Sequence, residues 1–479
     1  MADKLTMYVL TDTHYLSEKM WEEGESINSR EMGDQIAIKS TPYILRSFFN
    51  KIIDDKDSSF VLITGDLINN GDLQSHKDFK EELKMLTDAG KTVLVTCATH
   101  DYAGLGDDEN IFHPVRYTKD GTVPAERVYK TELPQLYYDF GHKFADSIDK
   151  ESGSYSVLLT EGLRLIAIYD NGNGRSHCGL FDEGFNWLES EIKKANENGE
   201  IVFLAVHHPV VPPWPIYRAV ADFEMFGGYE RLRKIMCENS VKAVFTGHTH
   251  VHGIKEYRDA EGRSFYDITT SALPSAGGKM RKLVFDIPNK TCSVESIGIE
   301  KIDGFNTNGL SAKEYIYRLN FSGLIEHSLP FIKTDWKRFS DNLSHVANIE
   351  LIKKHPHISK YAISKIMGMK MSTPARLVKK AGKLLGEDIK ALGKTTVKDT
   401  AFAVLSHVFT GNAPFSPDTP EYKVVEGVVV KAGKILKMFK VDIDKLVPGE
   451  ETALETVKHF MYNTRTGDDD TIIIDFERK

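Results

Sequence analysis

The stretch Met7-Tyr-Val-Leu-Thr-Asp-Thr-His14 joins a short apolar run to an aspartate and a histidine. The run is aromatic and β-branched in character and too short for a buried helix, so it predicts a β-strand over residues 7–11. Asp12 and His14 follow at once, where the strand ends. The stretch therefore predicts a strand that carries two potential metal ligands at its carboxyl end.

Four further strands are predicted to lead into Asp or His. Alternation of such strands with polar, partly helical connections predicts a layered α/β fold. Ligands bind at the carboxyl ends of strands in α/β sheets, so we expect the blocks after the strands to converge on one site. The strands cover residues 60–64, 92–96, 202–206 and 243–246, and the blocks are Gly65-Asp66 with Gly71, Ala98-Thr99-His100-Asp101, His207-His208-Pro209 and Gly247-His248-Thr249-His250. A hairpin over 155–159 and 163–169 and strands at 265–269 and 282–287 are also predicted.

Carboxylate oxygens and imidazole nitrogens dominate the predicted site. This combination suits divalent transition metals such as Mn, Fe or Zn. The four cysteines are far apart and form no C-x-x-C pair, which argues against a zinc ribbon, a redox motif or a disulfide framework. Two-metal hydrolysis is the chemistry that this ligand set predicts.

Beyond about residue 308 the pattern changes to helical periodicity. Ser311-Ala-Lys-Glu314 and Ser372-Thr-Pro374 are helix-start signals ahead of periodic segments. Since 479 residues exceed what one hydrophobic core usually supports, two domains are predicted, over residues 1–305 and 306–479. The predicted helices cover residues 311–327, 341–354, 358–367, 374–392, 398–409, 420–439 and 451–462, and a strand that returns to a sheet is predicted at 471–476.

Composition and charge exclude several classes of function. The chain is 41% hydrophobic and 27% charged, as in ordinary globular proteins. It contains no apolar stretch of roughly 18 residues, and its first residues lack a secretory core, so we expect a cytoplasmic protein without membrane association. The formal net charge of -8 gives no general attraction to nucleic acid.

The blocks D-x-H, G-D-x-x-x-x-G, H-x-P and G-H-x-H, with His100-Asp101 between them, resemble the calcineurin-like metallophosphoesterase superfamily over roughly residues 5 to 290. The resemblance implies a four-layer αββα metallophosphoesterase sandwich, here with an additional mostly α-helical C-terminal domain. It also implies hydrolysis of a phosphate ester with two divalent metal ions. By the same resemblance, Asp12, His14 and His250 hold the first ion, His207 and His248 hold the second, and Asp66 bridges both. His100 takes the position of the general acid, and Asp101 beside it is an orienting or charge-stabilising partner.

The sequence departs from the family at Ala98-Thr99, where Gly-Asn is expected. The asparagine amide oxygen normally completes the second metal site. Thr99 has three open roles: direct coordination, coordination through a water, or a weaker second site. The departure leaves the first metal site untouched.

Substrate class is narrowed by the residues after Asp66. Leu67-Ile-Asn-Asn-Gly71 lacks the arginine of protein Ser/Thr phosphatases, and Asn69 stands where purple acid phosphatases have a tyrosine ligand. The His-His-Pro block and the spacing are similar to bacterial class III cyclic-nucleotide phosphodiesterases, some of which carry a C-terminal helical domain. We therefore expect a small phosphorylated substrate, with a cyclic nucleotide or another small phosphodiester first.

Three alternatives stay open. A phosphomonoesterase of the same superfamily uses the same ligands. A nuclease is suggested by residues 352–385, which contain lysines and an arginine but no Asp or Glu, although the acidic chain argues against nucleic acid. A catalytically reduced binding or scaffold protein is suggested by Thr99, against which the retained His100 counts. Candidate substrate contacts are Asn171 in a glycine-rich turn and Trp214 and Tyr217 in a proline-rich segment.

Overall fold

A computed structural model of the protein describes residues 3–103, 113–169, 178–214, 217, 222–319, 336–337, 356–411, 414–438, 440, 442–445, 452–462 and 468–477. The chain forms two compact units. The first comprises Met1–Pro213, Phe223–Phe321 and Asp470–Lys479, and the second comprises Trp214–Asp222 and Ser322–Asp469.

A six-stranded sheet forms one half of the core of the first unit. From edge to edge its strands are β15 (Thr471–Asp475), β14 (Thr291–Ile297), β13 (Met280–Asp286), β1 (Lys4–Leu10), β2 (Ser58–Thr64) and β3 (Thr92–Thr96). β1, β2 and β3 are parallel, and β13, β14 and β15 continue the sheet by antiparallel pairing. Residues 61–64 of β2 are buried throughout, as expected for a parallel strand that is covered on both faces.

A seven-stranded sheet forms the other half. Its strands are β11 (Gly253–Arg258), β12 (Ser264–Thr269), β10 (Ala243–Thr246), β9 (Ile201–Ala205), β8 (Leu163–Ala167), β7 (Tyr155–Thr160) and β6 (Ser147–Ile148). The four central strands, β12, β10, β9 and β8, are parallel, and the outer pairs are antiparallel. The carboxyl ends of β9 and β10 therefore lie side by side.

The two sheets pack face to face. Phe203 of β9 and Phe285 of β13 lie with ring centroids 5.0 Å apart, inside one cluster of buried apolar side chains drawn from both sheets. Helices α2 (Thr41–Asp54) and α3 (Leu73–Asp88) cover the first sheet, whereas α5 (Asp182–Glu197) and α6 (Tyr229–Glu238) cover the second. The predicted four-layer αββα sandwich is confirmed. Smaller elements of this unit are α1 (Glu25–Met32), β4 (Val115–Thr118), β5 (Gly121–Pro124), α4 (Leu133–Leu136) and α7 (Ala312–Tyr317).

The second unit is helical over its described residues. Its helices are α8 (Pro356–Met367), α9 (Ser372–Val378), α10 (Gly386–Ala391), α11 (Val397–Thr410), α12 (Pro420–Met438) and α13 (Ala453–Met461). None of the described helices has the length and apolar character needed to cross a membrane. The helix predicted over 341–354 lies outside the described residues.

The single helix predicted over 374–392 is wrong, because α9 and α10 are separate helices. Gly382 lies so close to α12 that a Cβ atom there would collide with the carbonyl oxygen of Lys423. Lys383 then adopts a left-handed backbone with φ of 51°. Close approach of the neighbouring helix thus interrupts a segment whose side-chain pattern is helical.

The two units differ from the predicted division at residue 305. Helix α7 belongs to the first unit, because Ala312 and Ile316 are buried in the same cluster as the sheets. The predicted last strand is present as β15, which pairs with β14 and places Ile474 opposite Cys292. Most of the second unit, Ser322–Asp469, is therefore an insertion between β14 and β15 of the first.

Candidate metal centre

The carboxyl ends of strands from both sheets bring the predicted Asp and His ligands together. Three overlapping groups have donor atoms within 4.8 Å of one another: Asp12 with His14 and His250, His14 with Asp66 and His100, and Asp66 with His207 and His248. The ligands lie shortly after the carboxyl ends of β1, β2, β9 and β10, and His100 lies shortly after β3.

The backbone at these strand ends is unusual. Asp12, His14, Asp66, His248 and His250 all have positive φ, between 41° and 67°. Non-glycine residues rarely adopt this left-handed conformation, and residues that do so cluster at functional sites. The left-handed turn directs each side chain off the strand end toward its neighbours across the two sheets.

Asp12 has one carboxylate oxygen that is fully satisfied and one that is not. Its Oδ2 accepts hydrogen bonds from the Thr11 hydroxyl at 2.7 Å and from the backbone N–H of His248 at 2.9 Å. Its buried Oδ1 has no hydrogen-bond partner, yet the Nε2 atoms of His14 and His250 lie 3.6 and 3.5 Å away.

Those distances fit a shared metal ion. Donors about 2.1 Å from one tetrahedral ion lie about 3.4 Å apart, which is too far for a hydrogen bond and close to the separations around Asp12 Oδ1. The Nε2 atoms of His14 and His250 are themselves 3.0 Å apart. Burial alone would raise the pKa of Asp12, but His207, His14 and His250 hold that pKa well below its usual value. The residues therefore fit the first ion of the implied pair.

Asp66 faces both ligand groups. Its Oδ2 lies 3.0 Å from Nε2 of His207 and 4.0 Å from Nε2 of His14, while Oδ1 accepts the backbone N–H of His100 at 2.9 Å. Burial acts to raise the pKa of Asp66, but the surrounding imidazoles, with His207 first, lower it overall. One ionised oxygen is thus presented to donors of both sites.

The second group consists of Asp66, His207 and His248. The Nδ1 atom of His207 lies 2.7 Å from the carbonyl oxygen of Thr64, to which it donates, so the lone pair of Nε2 is directed at Asp66. Ring orientation of this kind is typical of metal-bound histidine. Burial, followed by the charge on His208, lowers the pKa of His248 and favours its neutral form, which a metal requires.

His100 is oriented by the chain that follows β2. Its Nδ1 lies 2.5 Å from the carbonyl oxygen of Asn69, to which it donates, and its Nε2 lies 4.0 Å from Oδ2 of Asp66. Burial lowers the pKa of His100 to about 4, although the charge on Asp66 acts in the opposite direction. A proton on Nε2 at neutral pH therefore needs further negative charge nearby.

Comparison with known proteins assigns the family. The sequence model of the calcineurin-like phosphoesterase family matches residues 5–252, which is more than half of the chain. The protein belongs to the calcineurin-like phosphoesterase family.

Individual relatives of this phosphoesterase are distant. A probable glycerophosphodiester phosphodiesterase of Arcobacter nitrofigilis is 26% identical over 192 residues, which is 40% of this chain and 56% of that protein. A probable cyclic nucleotide phosphodiesterase of Rhodococcus erythropolis is 24% identical over 191 residues, which is 40% of this chain and 50% of that protein. Each match thus spans about half the length of the curated relative. Among solved structures, a dimetal phosphatase from Danio rerio aligns with a TM-score of 0.42 at 12% identity, over 61% of this chain and 96% of that one.

The carboxylate of Asp101 accepts three backbone hydrogen bonds. Its Oδ1 accepts the backbone N–H groups of Leu67 and Ile68 at 2.7 and 3.1 Å, and its Oδ2 accepts that of Ala98 at 2.8 Å. This buried carboxylate joins the loop that carries Asp66 to the turn that carries His100. Asp101 therefore supports two loops, and its role as a partner of His100 stays a prediction.

Thr99, Trp214, Tyr217 and Asn171 are the remaining predicted site residues. Thr99 begins a one-turn 3-10 helix, Thr99–Asp101, and its role as a ligand stays a prediction. Trp214 and Tyr217 belong to the second unit, where their rings meet edge to face at 4.8 Å. Asn171 lies outside the described residues.

Three contributors to the centre were missed by the sequence analysis. Thr11 and Gly247 both contact Asp12, since a Cβ atom on Gly247 would collide with Thr11 Oγ1 and Asp12 Oδ2. Glu224 lies with Oε2 2.5 Å from Nε2 of His248. The family motifs contain Gly247 but give no reason for it, and no motif or spacing points to Glu224.

Proposed function

We propose that the protein hydrolyses a small phosphodiester with two divalent metal ions, and that a cyclic nucleotide is the first substrate to test. The observation that carries this proposal is the arrangement around Asp12 Oδ1 and Asp66 Oδ2, where imidazole nitrogens surround two carboxylate oxygens at 3.0 to 4.0 Å. Mn, Fe and Zn are the ions that suit these donors.

Two such ions, when bound, lower the pKa of water and neutralise charge on a phosphoryl group. The protein contributes the fixed positions of the donors, which the buried strand ends and left-handed turns hold in place. Asp66 would be the donor that the two sites share. His100 supplies the proton for the leaving oxygen from Nε2, because Nδ1 is already committed to Asn69.

Negative charge on the substrate supports the role of His100. The ring is neutral at neutral pH while its pKa stays at about 4. An anionic phosphate near Nε2 raises the pKa of the ring, which is the direction that proton donation requires. General acid catalysis of this kind contributes roughly 10²- to 10⁴-fold in rate.

The preference for a diester rests on the relatives. The two relatives are named as a probable glycerophosphodiester phosphodiesterase and a probable cyclic nucleotide phosphodiesterase. Both names describe enzymes that hydrolyse small phosphodiesters. Residues that distinguish one diester from another are not among the Asp and His donors, since these recognise only the phosphoryl group.

Hydrolysis of a substrate panel tests the proposal. The metal-free protein is reloaded with Mn²⁺, Fe²⁺ or Zn²⁺ and assayed on a 3',5'-cyclic nucleotide, a glycerophosphodiester, single-stranded DNA and p-nitrophenyl phosphate. We expect the highest kcat/KM on a small diester. A preference for p-nitrophenyl phosphate or for DNA would instead support the phosphomonoesterase or nuclease alternative. Two bound ions without hydrolysis of any ester would support a binding or scaffold protein.

A further inference from the structure

The imidazole of His248 has a carboxylate partner. Oε2 of Glu224 lies 2.5 Å from Nε2 of His248. The two side chains are 25% and 14% exposed, so water screens this contact only in part. The contact is short enough for a charge-assisted hydrogen bond between imidazole and carboxylate.

Glu224 contacts one nitrogen of the His248 ring, Nε2. Among the described residues, His248 shares a ligand group with Asp66 and His207, and the carboxylate of Glu224 is not a member of that group. When Nε2 donates its hydrogen to Glu224, the lone pair of neutral His248 is on Nδ1. The contact therefore selects the tautomer in which Nδ1 is the donor to the second ion.

The position of Glu224 is fixed by the loop that carries another ligand. Met225 and Phe226 directly after it are buried, at 2% and 0% exposure. The backbone N–H of Phe226 donates to the carbonyl oxygen of Pro209 at 2.9 Å, and Pro209 follows the His207-His208 pair. Glu224 is thus anchored to the same loop as His207.

The partner of His248 also differs in kind from the partner of His207. Nδ1 of His207 donates to the neutral carbonyl oxygen of Thr64, whereas Nε2 of His248 donates to a carboxylate. A carboxylate on the far nitrogen makes an imidazole a stronger metal donor, and removal of such a partner typically weakens metal binding about 10- to 100-fold.

We propose that Glu224 is a positioning residue for the second metal ion, which fixes the ring and tautomer of His248 and strengthens it as a donor. This role offsets the threonine at position 99, where the family has an asparagine ligand. The inference rests on the two-metal centre of the proposed function.

Metal binding by the full-length chain tests the inference without an activity assay. The metal-free protein is titrated with Mn²⁺ by calorimetry, and bound metal is counted by mass spectrometry. We expect Glu224→Gln to weaken the second Mn²⁺ about 10-fold and Glu224→Ala up to about 100-fold, because glutamine keeps an acceptor oxygen but loses the charge. The dissociation constant of the first Mn²⁺ should change less than about twofold.

Two controls separate positioning from general damage. Glu230→Gln changes an exposed glutamate in the first turn of α6 and should bind both ions like the wild type. The metal-free Glu224 variants should melt at the wild-type temperature. His248→Ala gives the reference for loss of a direct ligand.

Several outcomes would overturn the inference. These are an unchanged second site in both Glu224 variants, equal weakening of both ions, or a single Mn²⁺ per wild-type chain. A loss in Glu224→Gln as complete as in His248→Ala would make Glu224 a ligand instead. A wild type that binds two Mn²⁺ ions but hydrolyses no ester contradicts the proposed function alone.

Discussion

Asp66 is the side chain that the two ligand groups share. Replacement by alanine should remove hydrolysis and lower bound metal more than His250→Ala does, because His250 lies only in the group of Asp12 and His14. Metal counted after equilibration with a fixed excess of Mn²⁺ measures the difference. Equal metal content in Asp66→Ala and the wild type contradicts the bridging role.

His100 can be tested by the chemistry of the leaving group. His100→Ala should keep both metal ions but slow hydrolysis of an alkyl ester roughly 10²- to 10⁴-fold. The loss should shrink for p-nitrophenyl esters, because an acidic leaving group departs without a proton. Rates for a series of esters measure this dependence, and a uniform loss across the series would show that His100 is not the acid.

Thr99 stands where the family has a metal-binding asparagine. Thr99→Asn should tighten the second ion, because an amide oxygen reaches further than a hydroxyl and is a better neutral donor. Titration of activity with Mn²⁺ should then saturate at a lower concentration than in the wild type. An unchanged or higher requirement means that other residues, such as Glu224 acting through His248, already complete the site.

An ordered motif names most of the residues that the structure brings together, although their roles as metal ligands stay predictions. Asp12, Asp66 and the histidines stand in blocks whose order along the chain is informative, and the structure brings their side chains together. Glu224 was missed because it contacts His248 only through the fold, with no motif around it. The hydrogen bonds of Asp101 could not be predicted from sequence either, because three backbone N–H groups from two loops donate to its carboxylate.

At the scale of the elements, α3 is tied to the turn of His100 through a buried histidine. His76 Nε2 donates to the carbonyl oxygen of Asp101 at 2.8 Å, which leaves Nδ1 to accept the Tyr137 hydroxyl at 2.7 Å. Burial lowers the pKa of His76 from 6.5 to about 3. The neutral ring is therefore part of the folded structure.

This depressed pKa predicts acid sensitivity. Between about pH 6.5 and 3 the unfolded chain binds a proton at His76 that the folded chain does not. The free energy of unfolding should therefore fall as the pH falls, by up to about 1.4 kcal/mol per pH unit from this group. Urea unfolding at several pH values should give a shallower dependence for His76→Gln. If the unfolding free energy of His76→Gln falls with pH as steeply as that of the wild type, groups other than His76 cause the acid sensitivity.

Strands were easier to predict than the limits of helices. Runs such as residues 60–64 and 92–96 are buried on both faces, so their local composition already marks them. The segment from 374 to 392 has helical periodicity along its length, but the contact of Gly382 with Lys423 decides that it breaks. That contact joins residues far apart in sequence and leaves no local signal.

At the scale of the whole molecule, β15 ties a late segment of the chain to the first unit. Ile474 is 1% exposed in the central cluster, whereas its neighbour Ile473 is 73% exposed. Ile474→Ala should lower the free energy of unfolding by about 2–4 kcal/mol, and Ile473→Ala by less than about 0.5 kcal/mol. Denaturant unfolding of the two variants makes a matched comparison. Similar effects of both changes would mean that β15 contributes little to the core.

Because β15 comes late in the chain, the sheet of the first unit can be completed only late in translation. The outer edge of β14 emerges first and stays unpaired while Ser322–Asp469 of the second unit is translated. At roughly 5–20 residues per second, this is a delay on the order of ten seconds. An open strand edge in a nascent chain invites pairing with other chains. The second unit can therefore be complete before the sheet of the first is closed, and nascent-chain chaperones would find their target at the exposed edge of β14.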